Sequence, residues 1–178
     1  MTINNVCHRI LVTGTCGAGK TTFSKKLAGT LNVPLIHLDK EFWQPNWGQL
    51  GQEQWRVKVS DLVKGDNWVI EGNYSNSFDI RFPRATMILH LEVHRLVCLY
   101  RCIKRSLFSY GKVRDDMAPD CPERFDLNFY KYVWNFHKIQ GPRVLKAAEE
   151  LFDGEIILLK SKDDKEQFLK KMLNLCNI

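Results

Sequence analysis

The segment Gly14-Thr15-Cys16-Gly17-Ala18-Gly19-Lys20-Thr21 matches the pattern G-x-x-x-x-G-K-[ST] at every fixed position. Glycines at those places let a backbone wrap closely around an anion, so that successive N–H groups and a helix N-terminus point at phosphates. Lys20 then reaches the outer phosphates, and the Thr21 hydroxyl can ligate magnesium. The flanks agree with this chemistry. Arg9 to Gly14 (RILVTG) is a short apolar run closed by glycine, and Phe23, Leu27 and Leu31 recur at spacing four beyond it. Strand, glycine-rich turn and helix follow, and the residues from Gly14 through Thr22 are expected to bind nucleotide phosphates.

A phosphate-binding loop does not by itself separate a GTPase, a motor ATPase and a kinase. No D-x-x-G occurs in the chain, which leaves a guanine-nucleotide switch unsupported, and the strand-ending carboxylates Asp39, Glu71 and Glu92 stand singly rather than as the Asp-Glu pair of a motor. Ser161-Lys162-Asp163-Asp164 resembles a base-reading [NTS]-K-x-D but reads more simply as a helix cap. Arginines well downstream of the loop suit a lid that clamps a transferring phosphoryl group. Arg101 and Arg105 are one helical turn apart, a like-charge spacing that costs a few tenths of a kcal/mol unless an anion offsets it. With Arg114 they make a candidate catalytic lid over about 101–123; Arg81, Arg84, Lys138 and Arg143 are weaker candidates. Acceptor chemistry belongs at the carboxyl ends of the strands, where Asp39 and Glu71-Gly72-Asn73-Tyr74 fall. Asp39 could hold an acceptor hydroxyl, accept its proton or orient magnesium through water, and Glu71 could serve the metal instead. Phe42-Trp43-Gln44-Pro45-Asn46-Trp47 could stack on a base or sugar, or simply pack.

The elements that must position these residues can be read from periodicity. Apolar runs at Arg9–Gly14, Pro34–Asp39, Asn67–Glu71, Thr86–Val93 and Glu155–Lys160 predict five strands of a sheet covered on both faces. Between them, helices are expected over Gln52–Lys64, Arg95–Phe108, Glu123–Gln140 with a break at Gly141-Pro142, and Asp163–Leu175. On the helix of 95–108, Leu96, Leu99, Tyr100, Ile103 and Leu107 are expected to share the inward face, opposite Arg101, Lys104 and Arg105. The loop Ser109–Pro122 carries Gly111, Pro119 and Pro122. At 178 residues, 44% hydrophobic and 26% charged, the chain suits one domain. Its 26 Lys+Arg against 20 Asp+Glu give +6, which favours anionic partners, whether phosphates, DNA or acidic membranes. No 18-residue apolar stretch and no long apolar core near Met1 to Arg9 point to a membrane span or a leader. The six cysteines lack metal or disulfide spacing, and a reduced, cytoplasmic protein is expected. Cys98 and Cys102, four apart, read as small core residues.

Taken together, GTCGAGKTT, LIHLDKEFWQPNW, WVIEGNY, VCLYRCIKRSL, YGKVRDDMAPDCPERFDLNFYKYVWNF and IILLKS resemble the topology modulation, or FlaR-like, P-loop proteins, which are similar to adenylate kinase. The resemblance covers nearly the whole chain. It implies an α/β fold with a parallel sheet in the order 2-3-1-4-5 and a helical lid, ATP with Mg2+ bound at Gly14 to Thr21, Glu71-Gly72 after the third strand, and Arg101, Arg105 and Arg114 in the lid. After Glu71-Gly72 the chain reads Asn73-Tyr74, not the Phe-Pro-Arg of adenylate kinases, so the arginine that would grip a monophosphate acceptor is missing there. The expected activity is transfer of a phosphoryl group to a small-molecule acceptor. The alternative is a nucleotide-regulated protein acting on DNA topology, which the family name and the basic charge suggest and no nucleic-acid motif supports.

Overall fold

The computed structural model describes residues 8–176; Cys7, the chain start read for a leader, and the side chain of Cys176 lie outside them. The elements run β1 (Arg9–Gly14), α1 (Lys20–Leu31), β2 (Leu35–His37), α2 (Leu38–Phe42), β3 (Trp43–Gln44), β4 (Gly48–Gln49), α3 (Gln52–Leu62), β5 (Trp68–Glu71), α4 (Phe78–Arg81), β6 (Met87–Leu91), α5 (Arg95–Phe108), α6 (Leu127–Asn135), α7 (Gln140–Leu151), β7 (Glu155–Leu159) and α8 (Lys162–Cys176). Five strands form one parallel sheet, β2-β5-β1-β6-β7, with β3 and β4 a separate antiparallel ribbon. Counted among the five sheet strands alone, the order is 2-3-1-4-5, the order the resemblance implies.

Alternation along β1 divides the core in two, because successive strand side chains leave opposite faces. Ile10 and Val12 point into a cluster with Phe23 and Leu27 of α1, Cys98 and Cys102 of α5, Val133 of α6 and Phe168 and Met172 of α8. Leu11 points the other way, to Trp55 and Val59 of α3, Phe78 of α4, and Val144 and Ala148 of α7. Helices therefore cover both faces, as the near-continuous apolar strands predict. Truncating a fully buried side chain as large as Trp55 would cost about 3–5 kcal/mol.

Three expectations need correction. The apolar stripe read on α5 is not its inward face: Leu96, Tyr100 and Leu107 are exposed, and Cys98, Cys102 and Ser106 are buried. The reason is a close approach. A Cβ on Gly17 of the phosphate loop would collide with the Cys98 carbonyl, so α5 lies against the loop at Cys98, and its buried line runs on through Cys102 to Ser106, whose hydroxyl meets Glu123. The helix expected over Glu123–Gln140 begins only at Leu127, where the Asp126 side chain accepts from Phe129 N–H at 3.1 Å, and it ends at Asn135. Gly141 and Pro142 then sit in the first turn of α7, where a proline lacking its N–H is tolerated, and the break falls before them. The lid is only partly helical. Its first residues belong to α5, and 109–126 is irregular apart from one bridge between Tyr110 and Glu123.

Ser161 and Asp164 form a reciprocal cap. Ser161 Oγ accepts from Asp164 N–H at 2.9 Å, and Asp164 Oδ2 accepts from the Lys160 and Ser161 N–H groups at 2.7 and 2.9 Å. The cap reading of this segment stands. Cys16, Cys98, Cys102 and Cys121 are free thiols, and burial lifts Cys98 to about 11 and Cys102 to about 12, which keeps both protonated.

Candidate active site

Gly14 ends β1 at φ 129° and Gly17 turns the loop at φ 82°, backbone shapes that L side chains rarely adopt. A Cβ on Gly14 would also strike the carbonyl of Leu91 on β6, so the loop lies hard against the sheet. Asn73 braces it from the turn after β5: Gly14 N–H donates to Asn73 Oδ1 at 3.2 Å, and Asn73 Nδ2 donates back to Gly14 O at 3.0 Å. Lys20 Nζ donates to Thr15 O at 3.1 Å across the loop. Arg101 and Lys165 come from α5 and α8 to the loop's outer side, donating to Gly17 O at 3.2 Å and Ala18 O at 3.3 Å. Charge from three elements thus gathers around the loop.

Thr21 opens α1 with its hydroxyl between two carboxylates, 2.7 Å from Glu71 Oε1 and 3.0 Å from Asp116 Oδ2. One proton serves only one of these acceptors, so negative charge is in surplus at this point. Glu71, at the end of β5, is buried, and the same oxygen takes a hydrogen bond from His37 Nδ1 at 2.6 Å. Asp116 is held from its other side by Arg114 Nε at 2.9 Å, and that arginine depresses its pKa against the effect of burial. Among the described residues no group of three or more His, Cys, Asp or Glu forms a protein-only metal site. A cation beside Thr21 and Glu71 would complete its shell with phosphate and water, which is the habit of magnesium.

The lid arginines meet at a residue that pattern reading missed. Glu123 is buried; its Oε2 accepts from Arg114 Nη1 at 2.7 Å and lies 3.1 Å from Arg105 Nε, while Ser106 Oγ donates to its Oε1 at 2.9 Å. The Arg105 contact lacks hydrogen-bond geometry and is purely ionic. Asp116 falls in the loop Ser109–Pro122 and Glu123 at the start of the helix expected over Glu123–Gln140, and nothing in the sequence marks either as a site residue. No local spacing ties them to Arg105 or Thr21, and only the fold brings them together.

Across the cleft, Asp39 rises from α2 and accepts from Tyr74 OH at 2.6 Å. Burial is the largest influence on Asp39 and raises its pKa, with Glu71 adding in the same direction and Lys20 and Arg114 opposing. Tyr74 holds φ 43°, a left-handed shape costly for a bulky residue; Arg81 pins it by donating to the Asn73 and Tyr74 carbonyls, the latter at 3.1 Å. Arg81 is fully buried and structural, and burial lowers it to about 9. Arg84 donates to the Val63 and Lys64 carbonyls, and Lys138 and Arg143 are surface residues, so none of these weaker candidates reaches the cleft. Trp43 and Trp47 pack on Met117, Ala118 and Cys121 of the lid segment, the packing alternative, and they also line the cleft.

The cleft has a volume of about 1080 Å³, and Lys20, Thr21, Asp39, Glu71, Arg101, Arg105 and Arg114 all line it. This exceeds a typical single-ligand pocket and leaves room for a donor and an acceptor together.

No protein-family profile matches the chain. Over 118 residues it is 30% identical to a protein named "Putative adenylate kinase" from Thermococcus gammatolerans, a match covering 62% of this chain and 63% of that one. A like-named Pyrococcus furiosus protein is 26% identical over 118 residues, 62% of each. The chain therefore spans about three-fifths of the length of these relatives. A solved shikimate kinase from Acinetobacter baumannii, in complex with shikimate, superposes with a TM-score of 0.61 at 18% identity, covering 94% of this chain and 92% of that one. The fold is that of a P-loop kinase. A Bacteroides thetaiotaomicron shikimate kinase (TM-score 0.60, 19% identity, 96% and 99% covered) and a Sinorhizobium meliloti gluconokinase (0.52, 13%, 96% and 93%) share this P-loop kinase fold. These relatives are named as kinases and give the DNA alternative no support. No helix among the described residues is long and apolar enough to cross a membrane.

Proposed function

We propose that this chain is an ATP-dependent phosphotransferase that moves the γ-phosphoryl group to a small-molecule acceptor, in keeping with the narrower likeness to topology modulation proteins. The observation that carries the reading is the placement of Asp39 in the same cleft as a complete phosphate loop, with Tyr74 OH fixing one carboxylate oxygen at 2.6 Å. The loop from Gly14 to Thr22 would hold the ATP phosphates by its N–H groups, and Lys20 would leave Thr15 O for the outer phosphates. The cradle fits: Gly14, Gly17 and Gly19 all take positive φ, and a Cβ on Gly14 or Gly17 would collide with the backbone of Leu91 or Cys98, so glycines let the loop close in this shape. Thr21 and Glu71, with their oxygen donors and surplus charge, would hold Mg2+, which supplies charge neutralisation on the phosphates. Of the two carboxylates, Asp39 is thereby left for the acceptor.

Asp39 would orient the acceptor hydroxyl and take its proton. Burial suits this role, because a carboxylate raised above its ordinary range is a stronger base. Arg105 and Arg114, aligned by Glu123, and Arg101 beside the loop would stabilise the charge that spreads over the transferring group. The test is Mg2+-dependent ADP release from ATP, with a panel of nucleosides, nucleoside monophosphates and small alcohols beside a Lys20→Ala control. Stimulation by a panel member and its loss in the variant are expected; an unchanged rate in Lys20→Ala contradicts the reading.

A further inference from the structure

One carboxylate, that of Asp116, ties the lid to the phosphate loop. Its Oδ2 accepts from the Thr21 hydroxyl at 3.0 Å, and its Oδ1 accepts from Arg114 Nε at 2.9 Å. Arg114 donates onward through Nη1 to Glu123 Oε2 at 2.7 Å, and Arg105 Nε lies 3.1 Å from the same oxygen. A continuous run of polar contacts therefore leads from the first turn of α1 to both lid arginines, with Asp116 as the link between loop and lid.

The segment around Asp116 is firmly placed. Met117, Ala118 and Cys121 are buried against Trp43 and Trp47. Asn46 N–H donates to Asp120 O at 3.0 Å, and Met117 N–H closes a turn onto Arg114 O at 3.1 Å. Asp115, the adjacent acid, is the contrast: its side chain is 93% exposed, with Lys25 Nζ 3.8 Å away.

The place at which Asp116 is aimed is rich in negative charge. Thr21 has one hydroxyl proton for two carboxylates, and the side chains of Glu71 and Asp116 are only 7% and 15% exposed. Arg114 offsets part of this charge but is shared with Glu123. Like charges so close and so poorly hydrated disfavour one another. A magnesium ion reverses that balance, because it takes one or two carboxylates and completes its shell with phosphate and water.

We infer that Asp116 is a positioning residue, supplied by the lid, for the cation that accompanies the nucleotide, so that the lid arginines engage the metal–nucleotide complex in preference to the nucleotide alone. The inference rests on the kinase reading above and deepens it. Through Oδ2, Asp116 accepts the Thr21 proton and turns the hydroxyl lone pair toward the cation, which leaves Glu71 to meet it. Through Oδ1 it sets Arg114 in register with the same point. Toward phosphates that carry no metal, the Asp116 carboxylate is repulsive.

Two measurements on the whole chain test this: calorimetric binding of a non-hydrolysable ATP analogue with Mg2+ and with EDTA, and Mn2+ binding in the presence of that analogue, followed by the EPR signal of free Mn2+. In Asp116→Asn the ratio of analogue affinity with metal to affinity without it should fall about tenfold, and Mn2+ should bind about tenfold more weakly. Asp116→Glu, which keeps the charge on a longer arm, should give an intermediate ratio. Asp115→Asn and Glu123→Gln should leave the ratio unchanged, the second because it frees Arg114 without touching the Thr21 contact. An unchanged ratio in Asp116→Asn, or an equal fall in Glu123→Gln, would overturn the inference and leave the kinase reading standing. Failure of the wild type to bind the analogue in either condition would count against both.

Discussion

The proposed donor and acceptor ends of this cleft are built by different means. The donor end is a contiguous run, Gly14 to Thr22, whose shape follows from glycines at positive φ, two of them hard against neighbouring backbone. The acceptor end is assembled from α2, the β3–β4 ribbon, the turn after β5 and α7, and it is held by single contacts such as Tyr74 OH on Asp39. A contiguous backbone cradle is robust and generic, whereas a wall made from separated side chains can be changed piecemeal. The first explains why the loop alone points to phosphate chemistry, and the second explains why no contiguous motif names the acceptor.

The sharpest way to break this division is to remove one group from each end. Lys20→Ala should lower acceptor-stimulated ADP release about a thousandfold, since it deletes a cation aimed at the developing charge. Asp39→Asn should lower it about a hundredfold while leaving ATP affinity unchanged. Because burial raises the Asp39 pKa, the wild-type rate should fall on acidification at a pH above the ordinary carboxylate range, and rise as pH climbs through it.

A third expectation concerns the sheet beneath the donor end. His90 is buried beside Thr13 Oγ1 at 3.0 Å, and burial lowers its pKa from 6.5 to about 4. A depressed folded-state value means that the unfolded chain binds the proton first, so this contribution is full above about 6.5 and is lost as pH falls toward 4. The loss amounts to about 2–3 kcal/mol. Urea unfolding of His90→Gln should show a flatter acid limb than the wild type; an identical slope would remove His90 from the account.

Glu123→Gln is the finer probe of the lid. Freed of their shared carboxylate, Arg105 and Arg114 should lose alignment, and kcat should fall about tenfold with the acceptor KM unchanged. A change confined to KM would place Glu123 at the acceptor end.

Much of this was legible before the fold was known. The phosphate loop and the five strands could be read from a contiguous motif and local periodicity, the strand order came only from what the resemblance implies, and Asp39, Glu71 and the three arginines could be named as candidates that the fold then brings to one cleft. What escaped notice depends on contacts between distant segments. Asp116 reaches Thr21 from 95 residues away, and Glu123 gathers two arginines from different segments. The inward face of α5 was misread for a related reason: hydropathy favoured Leu96 and Tyr100, whereas the helix meets Gly17 of the phosphate loop at Cys98 and buries the line of Cys98 and Cys102. Steric demand from another element leaves no trace in the local pattern.

The most direct measurement is of ATP affinity and acceptor-stimulated ADP release in one preparation of Asp39→Asn, beside the wild type, with the most stimulating acceptor of the panel. A cleft divided as described predicts an unchanged ATP dissociation constant with transfer reduced about a hundredfold. Retained transfer, or loss of ATP binding in step with the rate, would contradict the assignment of Asp39 to the acceptor.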